Sequence, residues 1–597
     1  MARIKSLLCL IPLFLNRVQA EDINPPSSIK FRTQPERGMP GVPDFSVLAS
    51  QNLSSYDDTT GTITISGTHL PRHLSHQFQS RHGLGNGYIS AEISFYGPFY
   101  EKDKNQTHRE GRVTHGWPVF NERQSFAGVG GFWDCHDGED KIGVNYPELL
   151  ERGCESIISG IPHFYGLGVE VKGRRLDGDV DESEISEYVG ALEMRNGLAK
   201  RSYVWSPKRA GVEFEIEYTM LASRTRPNVA ATRLKITPRG SIKGTVIDVL
   251  DGRSAVRSKF VKKGMIEDET IFAANHPDGR PYLQAWTVSK VDLSTAAASS
   301  RRVPTLPHDE SDLLIGQEWD VNFINGETLT FTKFVGIADS QHFSNPEQTA
   351  HDAAAKARAD GWDTILSEHV TAWNKLMSND LIPSYRDPST GRLPENNKIL
   401  NIFQASSTAD RFQLFQNLLP EDGSGLNDNG LSVGGIASEA YAGMVFWDMD
   451  FWMYPSIALT SPLYAQQLVN FRLKNFEQAK RNAQEEYVRE KYKFDEDAVL
   501  YSWTCGGFGN ATGTGPVLDY EYHLNTDVAL MMFQHRLITG DEVLFRERLW
   551  PVIMGVGSAM TALLKRDGEG WSIRNMTDPD EFAVSFPSSS FLSLLMK

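Results

Sequence analysis

Val212-Glu213-Phe214-Glu215-Ile216-Glu217-Tyr218 alternates apolar and acidic side chains residue by residue. Successive side chains of an extended chain point to opposite faces, so the four apolar residues share one face and the three glutamates the other. Such a run is a strand with one face on a core and one in water. Thr62-Ile63-Thr64-Ile65-Ser66 and Arg233-Leu234-Lys235-Ile236-Thr237 repeat the period, with Gly, Asp and Asn between the runs. Many such runs over residues 51–340 predict a large antiparallel sandwich.

Further along, the period changes. Residues 346–377 are Ala-rich and read as two helices broken at Gly361, a helical linker spanning 341–395. After a Pro-, Gly- and Asn-rich stretch the chain stays mostly helical. Ser461-Pro462 is an N-cap followed by proline at the first helical position. Ala465, Leu468, Val469, Leu473, Phe476, Ala479 and Ala483 then fall at spacings of three and four, which predicts one long amphipathic helix. Further helices are expected over 527–539, ending at Gly540, and over 552–566. Strands followed by helices make a multidomain β-then-α chain.

The 597 residues carry a formal charge of −16. Nucleic acid is disfavoured as a partner, because most of the surface repels phosphate; a neutral sugar is compatible. Residues 1–20 read as a secretory signal: Arg3 and Lys5 lead a short apolar run, and Val18-Gln19-Ala20 offers a cleavage site. No later run is long and apolar enough for a membrane span. Residues 21–50 are polar and Pro-rich, a flexible extension. Without Cys9, three cysteines remain, and Cys135 with Cys154 is the expected pair. Asn52, Asn105, Asn510 and Asn575 stand in glycosylation acceptor triplets. Gly83-Leu84-Gly85-Asn86-Gly87 is dense in glycine but no helical pattern follows, so it is a weak dinucleotide signal.

Three segments could carry chemistry. Phe446-Trp447-Asp448-Met449-Asp450-Phe451-Trp452-Met453-Tyr454-Pro455 combines aromatic faces, which stack on the C–H faces of a sugar ring, with carboxylates that accept its hydroxyls. A packed core uses aromatic residues as readily. Asp519, Glu521 and His523 alternate, so an extended loop would place them on one side, as a sugar subsite or as a brace. Asp578, Asp580 and Glu581 crowd one turn. Crowding and burial raise a carboxyl pKa, as a general acid requires, although a solvated acidic turn has the same spacing.

Ordered blocks across the chain resemble glycoside hydrolase family 65, most closely its fungal acid trehalases, from about Tyr56 to Ala583. They are Leu84-Gly85-Asn86-Gly87-Tyr88, Glu155-Ser156-Ile157-Ile158-Ser159-Gly160-Ile161-Pro162, and Gly434-Gly435-Ile436-Ala437-Ser438-Glu439-Ala440-Tyr441-Ala442-Gly443 leading into Phe446-Trp447-Asp448. Gly513-Thr514-Gly515-Pro516 with Asp519-Tyr520-Glu521-Tyr522-His523, and Thr577-Asp578-Pro579-Asp580-Glu581-Phe582, complete the set. The resemblance implies an N-terminal antiparallel β-supersandwich over 51–340 and a partial (α/α)6 barrel over 396–583. It implies inverting hydrolysis of α,α-trehalose to two glucoses, with Glu581 as general acid and Trp447 and Asp448 binding the sugar. No cofactor and no metal are implied, and the partner is the disaccharide substrate. The expected location is along the secretory pathway: extracellular, cell wall or vacuole.

The family pattern continues beyond the acidic block into further barrel helices and a catalytic base. Val584-Ser585-Phe586-Pro587 matches none of that, so 584–597 read as an unrelated tail and the general base as not present. The expectation is a C-terminally truncated or mis-spliced product, poorly soluble and of little activity. Two alternatives stay open: another family 65 α-glucoside hydrolase or phosphorylase, and a non-catalytic carbohydrate-binding fragment.

Overall fold

The computed structural model describes residues 54–57, 59–69, 81–102, 124–135, 156–266, 270–293, 301–302, 313–378, 387, 389–390, 398–510, 521–567, 570–573 and 576, all within one compact unit, Phe45–Lys597. The leader, the extension, the tail, Cys154, Asp519, Asp578, Asp580 and Glu581 lie outside the described residues.

Phe214–Ala222 is a strand in the middle of a ten-stranded antiparallel sheet. Phe214, Ile216 and Tyr218 are buried while Glu215 and Glu217 face water, as the alternation predicts; Val212 precedes the strand. The spatial order is Ser54–Asp57, Thr62–His69, Ile185–Glu193, Leu198–Trp205, Phe214–Ala222, Val229–Pro238, Leu329–Asp339, Ala285–Asp292, Thr270–Pro277 and Ser258–Ile266. A five-stranded sheet, Arg301–Arg302, Leu314–Phe323, Ile242–Asp251, Leu167–Val171 and Arg174–Leu176, forms the second layer.

One buried ion pair ties the two layers. Lys333 of the larger sheet lies 2.8 Å from Asp248 of the smaller, with neither side chain exposed. Ser289 and Gln317 also donate to Asp248, and Lys333 also donates to the carbonyls of Gly166 and Val249. A buried charge is tolerable only when its bonds are filled in this way.

The larger sheet is covered on both faces along its centre. Val335 joins the core between the sheets, while its neighbour Phe334 packs under the helices Pro346–Asp360 and Trp362–Leu376. At Gly336 a Cβ would stand 1.9 Å from the Ala350 carbonyl, so glycine permits this helix to lie directly on the strand. The segment read as a linker is thus a third packed layer for most of its length.

The glycine-dense block at residues 83–87 is a joint. Asn86 caps the turn by accepting from the backbone N–H groups of Tyr88 and Ile89, and donates to the carbonyls of Ser223 and Pro227. Gly87 donates its N–H to the Gln416 carbonyl at the end of the helix Lys398–Phe415. The buried Arg224 adds bonds to the Asn86, Phe415 and Leu418 carbonyls. The β and helical halves therefore share one continuous core.

The helical half differs from expectation at its breaks. The stripe Ala465 to Ala483 is carried by two helices, Pro462–Lys474 and Phe476–Gln484. Asn475 separates them; its side-chain amide donates to the Phe471 carbonyl, competing with the helix backbone. The expected helix at 527–539 begins earlier, giving His523–Thr539 capped by left-handed Gly540. The last expected helix is Trp550–Leu563, and Lys565–Asp567 instead pairs with Gly570–Ser572 as a hairpin. No helix among the described residues is long and apolar enough to cross a membrane. Cys135 is disulfide-bonded and Cys505 is a free, buried thiol. Asn510 is 8% exposed.

Candidate functional site

The aromatic segment follows a short cross-link between loops. Val445 and Cys505 exchange two backbone hydrogen bonds, after which the chain winds into a π-helical turn, Met449–Met453, continuous with the helix Tyr454–Ala458. Such wide turns recur at functional sites because they re-aim side chains within a helix. Here Met449 and Asp450 point inward and are buried, whereas Trp447 and Asp448 are half-buried and Trp452 is 58% exposed. Trp447 lies near Phe451 and Trp452, with ring centroids 5.8 and 5.5 Å away. The arrangement presents an apolar ring beside a carboxylate at the edge of solvent.

Trp447 rests on His523, the rings meeting at 88° with centroids 4.9 Å apart. His523 Nδ1 lies 2.9 Å from Asp527 and Nε2 3.2 Å from Glu521, and all three side chains are buried. Burial alone would discharge the imidazole, but its two carboxylate partners outweigh burial and lift its pKa to about 9. Burial lifts Asp527 to about 6, against the pull of the imidazolium. Burial likewise raises the Asp448 carboxyl, and the nearby His523 charge limits that rise.

Below this triad, Arg472 forms a two-pronged ion pair with Asp450 at 3.0 and 2.5 Å, both side chains wholly buried. The floor of the site also receives residues from the β half. Phe126, Trp133, Ile157 and Ile158 pack with Ala442, Met444, Phe446 and Trp503, and Trp447 lies against the same cluster. At Gly507 a Cβ would come 2.6 Å from the Trp133 ring, and at Gly506 2.7 Å from the Ser156 hydroxyl. Residues 156–162 are therefore a wedge from the sandwich set under the aromatic loops.

The structure brings together Trp447, Asp448, Glu521 and His523. His523 bridges Glu521 Oε2 and Asp527 Oδ2 and meets the Trp447 ring, so the three residues brace Trp447. Asp527 and Arg472 were not among the residues singled out from sequence; Asp450 was, as a carboxylate of the aromatic segment, and in the fold it is buried against Arg472. Asp527 had a signal, four residues after His523 and so on one helix face, but only once the helix is known to start at His523. Arg472 and Asp450 are partners across two elements, which no local pattern reveals.

Residues 65–376 match the model of the glycosyl hydrolase family 65 N-terminal domain, and residues 410–597 that of the family 65 central catalytic domain. An acid trehalase of Emericella nidulans is 36% identical over 528 residues, covering 86% of this chain and 49% of that protein. A cell wall acid trehalase of Arthroderma benhamiae is 34% identical over 522 residues, covering 85% and 48%. The chain thus spans about half the length of these relatives. Among solved structures, a putative kojibiose phosphorylase from human microbiome superposes with a TM-score of 0.69 at 13% identity, over 91% of this chain and 65% of that one. At that identity the likeness is one of fold: a β-sandwich followed by a helical domain.

Proposed function

Because the chain belongs to glycosyl hydrolase family 65, we propose that its function is the hydrolysis of α,α-trehalose to two glucoses with inversion at the anomeric carbon. Trp447 stacks on the glucosyl ring at the cleavage point and Asp448 accepts its hydroxyls. Glu581 hands a proton to the glycosidic oxygen as the bond breaks. An inverting reaction also needs a second carboxylate roughly 6.5–9.5 Å away to activate water; no residue of this chain is assigned to that task. The domains that serve the reaction are the sandwich at 51–340 and the helical domain at 396–583.

The observation that carries this reading is the half-exposed Trp447–Asp448 pair, in a chain whose relatives at 34–36% identity are acid trehalases. The raised carboxyl of Asp448 supports it, since a partly desolvated acid makes strong bonds to hydroxyl donors. The leader at 1–20 would deliver the protein to the cell exterior, where the Arthroderma benhamiae relative is named for the cell wall.

The test is incubation of purified protein with trehalose and, separately, kojibiose, with and without phosphate. Free glucose from trehalose alone, lost in Glu581→Gln, supports the proposal. Glucose phosphate appearing only with phosphate would replace hydrolysis by phosphorolysis. Calorimetric binding of trehalose without any product would leave a carbohydrate-binding protein.

A further inference from the structure

Tyr441, Ala442 and Gly443 are three consecutive residues in the left-handed region, at φ 52°, 59° and 66°. The left-handed region is disfavoured for residues other than glycine, so something outside the turn must hold it. The contacts that do so come from the β half. Ile158 donates its N–H to the Ala442 carbonyl at 3.0 Å, and at Gly443 a Cβ would lie 2.5 Å from the Ile158 side chain. Arg257, itself at φ 53°, donates to the Ile158 carbonyl through Nε at 2.9 Å and Nη2 at 2.7 Å. The same Nη2 reaches Glu439, at the root of the turn, at 2.8 Å. Both partners are largely shielded from water. The turn runs directly into Phe446, Trp447 and Asp448.

We propose that Arg257 is a positioning residue of the sugar site: by clamping Ile158 and Glu439 it holds the strained turn and so fixes where Trp447 and Asp448 stand. The β-sandwich is then a working part of the site and not only a scaffold. The inference rests on the reading of Trp447 and Asp448 as sugar ligands. A misplacement near 1 Å at such a site costs up to about a hundredfold.

Binding of trehalose to the full chain, by calorimetry, tests this in Arg257→Met, Arg257→Lys and Glu439→Gln. Arg226→Met, which breaks an ion pair to Asp360 and Glu368 away from the site, is the control for general loosening. Affinity is expected to fall at least about tenfold in Arg257→Met, to be partly rescued in Arg257→Lys, and to be unchanged in Arg226→Met. Hydrogen exchange over 440–448 should rise in Arg257→Met and in Glu439→Gln and stay unchanged in Arg226→Met. Wild-type affinity and unchanged exchange in Arg257→Met would overturn the proposal. Should Arg257→Met not fold, wild-type affinity in Glu439→Gln would do so. Should the parent chain bind no trehalose, faster exchange in Arg257→Met would sustain the clamp and sink the trehalose reading.

Discussion

Trp447 leans on His523 at 4.9 Å between ring centroids, and His523 stands between two buried carboxylates, Glu521 and Asp527. The indole that is proposed to receive the sugar is thus backed by a charged network as well as by the apolar cluster around Phe446. Removing the imidazole leaves two buried acids facing each other. His523→Leu is expected to cost about 3 kcal/mol or more, read as a lower urea midpoint, and to weaken sugar binding as Trp447 loses its support. His523→Gln keeps a donor and should cost less. An unchanged midpoint in His523→Leu would mean that the network contributes nothing to the fold.

The pH dependence of stability follows from the same groups. His523 and His342 both have a pKa of about 9 in the fold, against 6.5 free, because carboxylate partners (Asp339 and Asp428 for His342) outweigh burial. Their contribution is complete below 6.5 and is lost as pH climbs through 9. On the acid side, burial lowers His163, His369 and His535 to about 4. The unfolded chain takes protons there that the fold refuses, so stability falls as pH drops from 6.5 towards 4. Asp527, raised from 3.8 to about 6 by burial, opposes this, since its contribution is present at low pH and lost as pH rises through 6. Three histidines outweigh one carboxyl. Urea midpoints measured across the range should peak near pH 6.5, and the alkaline decline should shrink in His523→Gln and His342→Gln.

Gly87 is the most exacting position at the joint between halves. Its φ is 100°, and a Cβ would lie 2.5 Å from the carbonyl carbon and oxygen of Leu418. Gly87→Ala therefore meets backbone that cannot step aside, and both strain and overpacking oppose it. A loss of about 3 kcal/mol or more is expected, measurable as a lowered thermal midpoint. Gly173→Ala also sits at positive φ, but nothing lies within 4 Å of its Cβ; it should cost only about 1 kcal/mol.

How much of this was legible beforehand depends on the range of the interaction. The alternation of Phe214, Ile216 and Tyr218 reports burial directly, because a strand repeats every two residues. The stripe from Ala465 to Ala483 gave the buried face but not the break at Asn475, since a buried asparagine bonding Phe471 leaves no mark on the period. The hairpin after Leu563 was invisible in a run that scans as helix. At the site, the segment 446–455 stood out by composition, and the resemblance marked Trp447 and Asp448 within it. Arg257 and Glu439 did not stand out, being 182 residues apart in sequence and 2.8 Å apart in space. The resemblance marked residues 155–162 and 434–443 as blocks without saying that they touch.

The last prediction concerns what holds the sandwich layers in register. Lys333→Met keeps volume but removes the cation, leaving Asp248 with only Ser289 and Gln317 as donors. An unpaired buried carboxylate costs about 3–5 kcal/mol, so a large fall in urea midpoint is expected. Asp248→Asn in that background removes the orphan charge while keeping an acceptor for Ser289. The double variant should therefore recover much of the loss, and the two substitutions should be strongly non-additive. If the double variant is no more stable than Lys333→Met alone, the charge on Asp248 is not what opposes burial. The cost would then lie in the bonds that Lys333 makes to the Gly166 and Val249 carbonyls.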